Sequence, residues 1–209
     1  SLVGVVDTDK DAGEAVAGRC KTRYYSSIKE ILNKVDVASV VVPTKSHYEI
    51  TKELLNNGIH VLVEKPMTGT VSEAEDLIKL SRQSSVILQP GYIERFNPAL
   101  ETIKKLDVSL KFIECHRLSP FTFRSADIGV VLDLMIHDID IILYLSKSKV
   151  KKIDAVGVNV IADKEDIANA RIQFENGCVA NITASRVSFE PMRRIRLFSE
   201  NSYISLDYQ

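Results

Sequence analysis

The sequence predicts an α/β protein in two parts. Residues 1–91 read as a doubly wound parallel sheet, and residues 92–209 as an antiparallel meander with few helices. Two observations carry this reading. Before Gly91, short runs that are apolar throughout alternate with capped helical patterns, which is how parallel strands covered on both faces look in sequence. After Gly91 the apolar residues only partly alternate, and the segments are joined by turn signals.

Element by element, "LVGVVD" (2–7) is an apolar run closed by an acid. Ser27 and Glu30 have capping-box spacing for a helix through "IKEILNKV". "DVASVVVP" (36–43) is a strand stopped by Pro43, and "YEITKELLNN" a helix stopped by Gly58. "IHVLVEKP" is the next strand. Thr70 and Glu73 repeat the capping-box spacing ahead of "VSEAEDLIKLSRQ", and "SVILQPG" (85–91) is the fourth strand. Beyond it, Asn97 and Pro98 cap and open a helix to about Leu106. "VSLKFIECHRL" is a strand candidate, and an apolar helix is expected near 128–146. "KIDAVGVNVIA", "IANARIQFENG", "CVANITASRV" and "RIRLFSE" form the meander, with Asn176-Gly177 as its clearest turn.

Composition excludes several function classes. The 209 residues are 45% hydrophobic and 26% charged with a formal net charge of −1, the balance of a globular protein. No basic field argues for nucleic acid or an anionic membrane surface. No uncharged apolar run reaches the ~20 residues of a membrane helix; the longest, Ile128 to Leu145, contains Asp133, His137, Asp138 and Asp140. Cys20, Cys115 and Cys178 are scattered and odd in number, which suits a reducing compartment, shows no metal-ligand spacing, and makes the cytoplasm the expected location.

In open α/β sheets ligands bind beyond the carboxyl ends of the strands. The polar residues there are Asp7 and Thr8, Thr44 to His47, Glu64 and Lys65, and Gln89 to Tyr92. An acid closing the second strand of a dinucleotide fold accepts from the ribose hydroxyls, and Asp7 suits that role or simply starts a turn. With no Arg following to receive a 2′-phosphate, it favours NAD over NADP. The expected first strand and its G-x-G-x-x-G loop are absent, since Gly4, Gly13 and Gly18 do not have that spacing. Thr44 and His47 also fit as caps of the helix that follows. Lys65, beside a cationic ring, can hydrogen-bond a substrate hydroxyl and favour its alkoxide. At 3.6 residues per turn, Asp133, His137 and Asp140 share a helix face. A carboxylate and an imidazole on an otherwise apolar helix need partners, and His is the common general acid or base near neutrality. Asp138 points off that face, toward a solvated edge or a salt bridge. Tyr92 and Arg95 are candidates for substrate contact, Arg95 as an anion clamp or as a partner of Glu94.

At "VLVEKPMT", "VVPTKSHYEI", "GYIERFNPAL" and "LDLMIHDIDIIL" the chain resembles the glucose-fructose oxidoreductase / inositol dehydrogenase / MocA family, in order and spacing over essentially its whole length. The resemblance implies a Rossmann-like domain, here without its first strand, and an α+β domain with an open, mostly antiparallel sheet whose last strands lie beyond the sequence. It implies a nicotinamide cofactor and hydride chemistry on sugars, polyols and related alcohols. Lys65 matches the family lysine, Asp133 and His137 the acid–histidine pair, and Asp7, Thr44, His47, Glu64 and Lys65 cofactor-contact positions. Thr8 joins that set by adjacency. The double glycine often found before the acid–histidine pair is replaced by "IGVVLD". "ERFNPA" together with "VVLDLMIHDID" further resembles the UDP-N-acetylglucosamine 3-dehydrogenase branch.

The expected function is therefore NAD-dependent oxidation of a sugar or nucleotide-sugar hydroxyl, with Lys65, His137 and Asp133 catalytic. A non-catalytic ligand sensor on the same fold is the competing class, and a dehydrogenase of a non-sugar diol or imine the competing substrate. The half-apolar meander predicts a homodimer or homotetramer formed through its uncovered face.

Overall fold

The structure, a computed structural model, describes residues 1–105, 108–122 and 128–208. The chain forms two compact units, Ser1–Gly91 and Tyr92–Gln209. In the first unit, β1 (Gly4–Val6), α1 (Lys10–Arg19) and β2 (Arg23–Tyr25) make a parallel pair with its crossover helix. β3 (Val37–Val40), α2 (His47–Asn56), β4 (His60–Val63), α3 (Val71–Gln83) and β5 (Leu88–Pro90) make a parallel sheet in the order β3-β4-β5. The capping box at Thr70 forms as its spacing predicts: Glu73 N donates to Thr70 Oγ1 at 3.3 Å, and Glu73 Oε2 accepts from Thr70 N at 3.1 Å. Leu54, Leu55, Ile59, Val61, Val63 and Leu77 pack as the core between the sheet and α2 and α3.

Two expectations for this unit change. Residues 28–35 are not a helix. The capping box at Ser27 and Glu30 is present but opens only a 3-10 turn, Ile28–Glu30. A cap sets where a helix starts, not its length. Asn33, Val35 and Asp36 add little helical propensity, and β3 begins at Val37. The three-stranded sheet is also not covered on both faces among the described residues. Alternation turns Val40, Val61 and Val63 into the core, while Val37, Val41, Leu62 and Ile87 are exposed.

In the second unit, α4 (Pro98–Lys105) follows a cap in which Asn97 Oδ1 accepts from Ala99 N at 3.0 Å. Six strands follow: β6 (Leu110–Leu118), β7 (Val150–Val158), β8 (Ile167–Phe174), β9 (Val179–Ser185), β10 (Met192–Ser199) and β11 (Tyr203–Asp207). Their order is β11-β10-β6-β9-β8-β7, and only β6 and β9 are parallel. The chain is thus not a simple meander, because β6 separates β9 from β10. The inward residues of β6 account for its central place: Ile113 and Cys115 are at most 1% exposed.

α5 (Ile136–Ser146) packs on that inward face. Ala168, Ala170, Ala180 and Ala184 line it and leave room for Met135, Ile141 and Ile142. The helix expected from 128 instead begins with a π turn over Val131–Met135 and becomes α-helical only at Ile136.

Two buried ion pairs tie this unit together. Asp138 is fully buried and bidentate with Arg117 of β6, at 2.9 Å to Nε and 3.0 Å to Nη2. Tyr208 Oη donates to the same carboxylate at 2.7 Å. Burial works against the Arg117 charge, but hydrogen bonds and charge from Asp138, with help from Tyr208 and Glu94, raise its pKa above the ordinary value. Burial first, and then the Asp138 charge, push the Tyr208 hydroxyl up. Asp166, also fully buried, accepts from Arg186 Nε and from the backbone N–H groups of Val160, Ile161 and Ala162. Burial opposes its charge, yet these donors hold the carboxyl below the usual range.

Removing one member of a buried pair strands the other. Asp138→Ala should lower the free energy of unfolding by about 3–5 kcal/mol, and the double variant Arg117→Met/Asp138→Leu should recover part of that loss. Urea unfolding measures both, and a loss below about 1 kcal/mol for the single variant would place the pair among solvated surface bridges.

Candidate active site

The first group of candidate residues gathers at the carboxyl ends of β3, β4 and β5, which share one edge because the strands are parallel. After β3 a 3-10 turn, Thr44–Ser46, leads into α2. Thr44 is half-buried on that turn. His47 is the first residue of α2 and is 1% exposed. Its ring does not cap the helix: Nδ1 lies 2.7 Å from the Pro66 carbonyl oxygen and Nε2 2.8 Å from that of Val42. The expected cap gives way to a bridge between two backbone segments.

After β4, Glu64 continues the sheet, its N–H donating to Val40 O at 3.0 Å. Its carboxylate lies close over Gly91, where an added Cβ would stand 3.2 Å from Glu64 Oε2 and push it by a few tenths of an ångström. Lys65 is half-buried, and its peptide bond to buried Pro66 is cis.

Asp7, at the end of β1, uses one carboxylate oxygen locally: Oδ1 accepts from Asp9 N at 2.9 Å. Its carbonyl accepts from Tyr24 Oη at 3.0 Å. Asp9 caps α1 through Ala12 N at 3.0 Å. Asp7 thus does start the turn, and the turn in turn fixes its carboxylate at the strand end. Thr8 beside it is exposed.

The second group lies in the second unit. Asp133 sits within the π turn and His137 one residue into α5, both half-buried. The turn widens here, with hydrogen bonds running i to i+5, yet Asp133 and His137, four residues apart, are still about one turn apart across it. Asp140 is held by Arg95, which binds its carboxylate bidentately, with Nε at 2.7 Å. The hydrogen bond to Asp140 is the main reason the Arg95 pKa is raised. Arg95 also stacks over Tyr144 at 5.4 Å and pairs with Asp140 rather than Glu94. Glu94 instead meets Arg117 at 3.5 Å. Tyr92 is half-buried, and burial followed by the Asp140 charge raises its pKa.

The start of this helix is fixed by Glu165, just before β8, and Arg186, just after β9. Val130 N donates to Glu165 O at 2.9 Å, Val131 N to Glu165 Oε1 at 3.4 Å, and Arg186 Nη1 to Ile128 O at 2.6 Å. Gly129 leaves room for this carboxylate, since an added Cβ would fall 1.9 Å from Glu165 Oε1 and make it shift.

Sequence reading missed Arg117, Tyr208 and the Asp166–Arg186 pair. One signal was present: Arg117 occupies an inward position of an alternating strand, facing a helix that carries buried acids.

Comparison with known proteins finds a family match in each of the two units. Residues 1–92 match a family model described as "Oxidoreductase family, NAD-binding Rossmann fold", and residues 111–205 one described as "GFO/IDH/MocA C-terminal domain". The chain is 38% identical over 208 residues to UDP-N-acetylglucosamine 3-dehydrogenase of Acidithiobacillus ferrooxidans, covering 99% of this chain and 66% of that protein. It superposes on a crystal form of that enzyme with a TM-score of 0.93, covering 99% of this chain and 68% of the other. It is 28% identical over 205 residues to scyllo-inositol 2-dehydrogenase (NAD(+)) of Bacillus subtilis, covering 90% of this chain and 60% of that enzyme. The chain thus spans about two thirds or less of the length of these curated relatives. With both family models matched in order and a relative of this identity aligned from end to end, the chain belongs to the GFO/IDH/MocA oxidoreductase family.

Proposed function

We propose that this chain carries the working parts of an NAD-dependent dehydrogenase that moves a hydride between a nucleotide-sugar hydroxyl and nicotinamide, with the 3-hydroxyl of UDP-N-acetylglucosamine as the reacting group. The observation that carries the reading is the presence in one chain of two separately braced parts. One is the Lys65 turn at the strand ends of the first unit. The other is the π turn and helix bearing Asp133 and His137. The similarity to the Acidithiobacillus enzyme supplies the substrate.

The residues at the strand ends fit a dinucleotide by their chemistry. Asp7 offers a carboxylate to ribose hydroxyls, Thr8 and Thr44 offer hydroxyls, and Glu64 and Lys65 border the place of the nicotinamide end. NAD, when bound, supplies the hydride acceptor. The chain's own residues handle the proton. In this reading Lys65 donates a hydrogen bond to the substrate oxygen and favours its alkoxide, His137 takes the hydroxyl proton, and Asp133 orients His137. Tyr92 borders the substrate. Arg95, locked to Asp140, shapes the wall through its position rather than by clamping an anion.

The open face of the six-stranded sheet is the proposed contact between copies. Phe112, Phe198 and Tyr203 cluster on it with ring centroids 5.8 and 5.0 Å apart. Val156 and Val158 are 61% and 49% exposed on it. Charged pairs such as Arg196–Glu114 lie between these apolar ends. Free Cys20, Cys115 and Cys178 suit a reducing cytoplasm, and no helix among the described residues is long and apolar enough to cross a membrane.

Three tests use the full-length protein. Lys65→Met and His137→Asn should each cut turnover of UDP-N-acetylglucosamine by roughly two to four orders of magnitude with thermal melts nearly unchanged. The double variant should be only slightly worse than either single one, because groups that act as a unit are not additive. Near-normal turnover by Lys65→Met would end this assignment. Titration with both cofactors should show NAD binding more tightly than NADP, with Asp7→Ala narrowing the difference; equal or reversed affinities would remove Asp7 from the cofactor site. Light scattering at micromolar concentration should show at least a dimer, and a monomer would refute assembly through the sheet.

A further inference from the structure

His47 has no part in the proton steps above, yet it is among the most deeply placed polar side chains of the first unit. Its two ring nitrogens lie 2.7 Å from Pro66 O and 2.8 Å from Val42 O. Backbone carbonyls only accept. A neutral imidazole has one N–H and one lone pair, so one of these contacts would set lone pair against lone pair within hydrogen-bond distance. Both contacts are hydrogen bonds only when both nitrogens carry protons.

Two effects oppose that state. The ring is buried, and it stands at the start of α2, where the helix dipole is positive. Two charge-assisted hydrogen bonds in low-dielectric surroundings act the other way, and the alternative leaves a buried carbonyl without its donor. The other ionisable groups on the segments involved are Lys45, Tyr48 and Glu49 around the start of α2, and Glu64 and Lys65 at the end of β4. Lys45 and Glu49 are exposed, and Tyr48 turns its hydroxyl to Asp76 at 2.7 Å.

We propose that His47 is held as an imidazolium donating to both carbonyls, and that this cationic clasp is the positioning residue for Lys65. It joins the end of β3 to Pro66, the residue after Lys65, and so fixes the turn from which the lysine projects. The consequence for turnover rests on the dehydrogenase reading; the protonation state does not.

The test is nitrogen NMR of the full-length protein with labelled histidine at neutral pH, with His47 assigned through bonds without substitution. Both ring nitrogens should be protonated, with both N–H protons slow to exchange. A His47 nitrogen without a proton overturns the clasp. In the same protein, His47→Gln should lower kcat at least about tenfold while KM for NAD stays within about twofold, the pattern of lost placement rather than lost binding. An unchanged kcat removes the positioning role. If the variant does not fold, the nitrogen spectrum alone decides the proposal. Absence of activity in the unsubstituted protein would refute the dehydrogenase reading and leave the spectral result intact.

Discussion

The bidentate contact between Asp138 and Arg117 is the constraint on which the second unit depends. α5 is apolar on almost every side, and an apolar helix on an apolar sheet can slide or rotate at little cost, because dispersion and burial are not directional. A buried carboxylate and a buried guanidinium can meet in one geometry only. That geometry sets how far α5 lies along β6 and which side it turns to the sheet. His137 precedes Asp138 in the chain, so its direction follows from that contact. Arg95 and Asp140 repeat the device two residues on and hold the 3-10 turn of Ile93–Phe96 to the same helix. Such pairs need not add net stability, since desolvation takes back most of the attraction. Their value lies in excluding the neighbouring arrangements.

The first unit solves a similar problem with backbone groups. Segments that leave a parallel sheet at its carboxyl edge have no further ladder to join, so something else must hold them. Here a single imidazole reaches both Val42 and Pro66, and Glu64 leans on Gly91. The three exits from β3, β4 and β5 are thereby linked to one another. An edge so linked presents its polar groups in fixed positions, which lowers the entropy lost when a ligand is bound.

Much of this was legible in the sequence, and the reasons differ by element. α3 could be read because its capping box and apolar stripe agree. The same cap at Ser27 misled, because a cap sets where a helix starts and not how far it runs. The strands could be read from their apolar runs, but their neighbours could not: nothing local in β6 says that it lies between β9 and β10, since pairing partners are chosen by the depth of burial of the whole sheet. In the candidate site, Lys65 and His137 were recognisable from motif and position. The partner of Asp140 was not, because Arg95 lies 45 positions away in the chain. Nor was the π turn, because a widened turn leaves the spacing of letters unchanged.

Glu165 ties two distant glycines to itself. Its carboxylate occupies the space beside Gly129, and its Cβ lies 3.2 Å from where a Cβ on Gly157 would be. The three positions therefore behave as one unit of variation. A larger residue at 129 requires the Glu165 carboxylate to swing away or shorten, and either change removes the oxygen that Val131 N reaches. Such a change costs the entry to the π turn one of its three braces, while Val130 N to Glu165 O and Arg186 to Ile128 O remain. Change at the start of this helix is for that reason easier by paired replacement at 129 and 165 than by a single one.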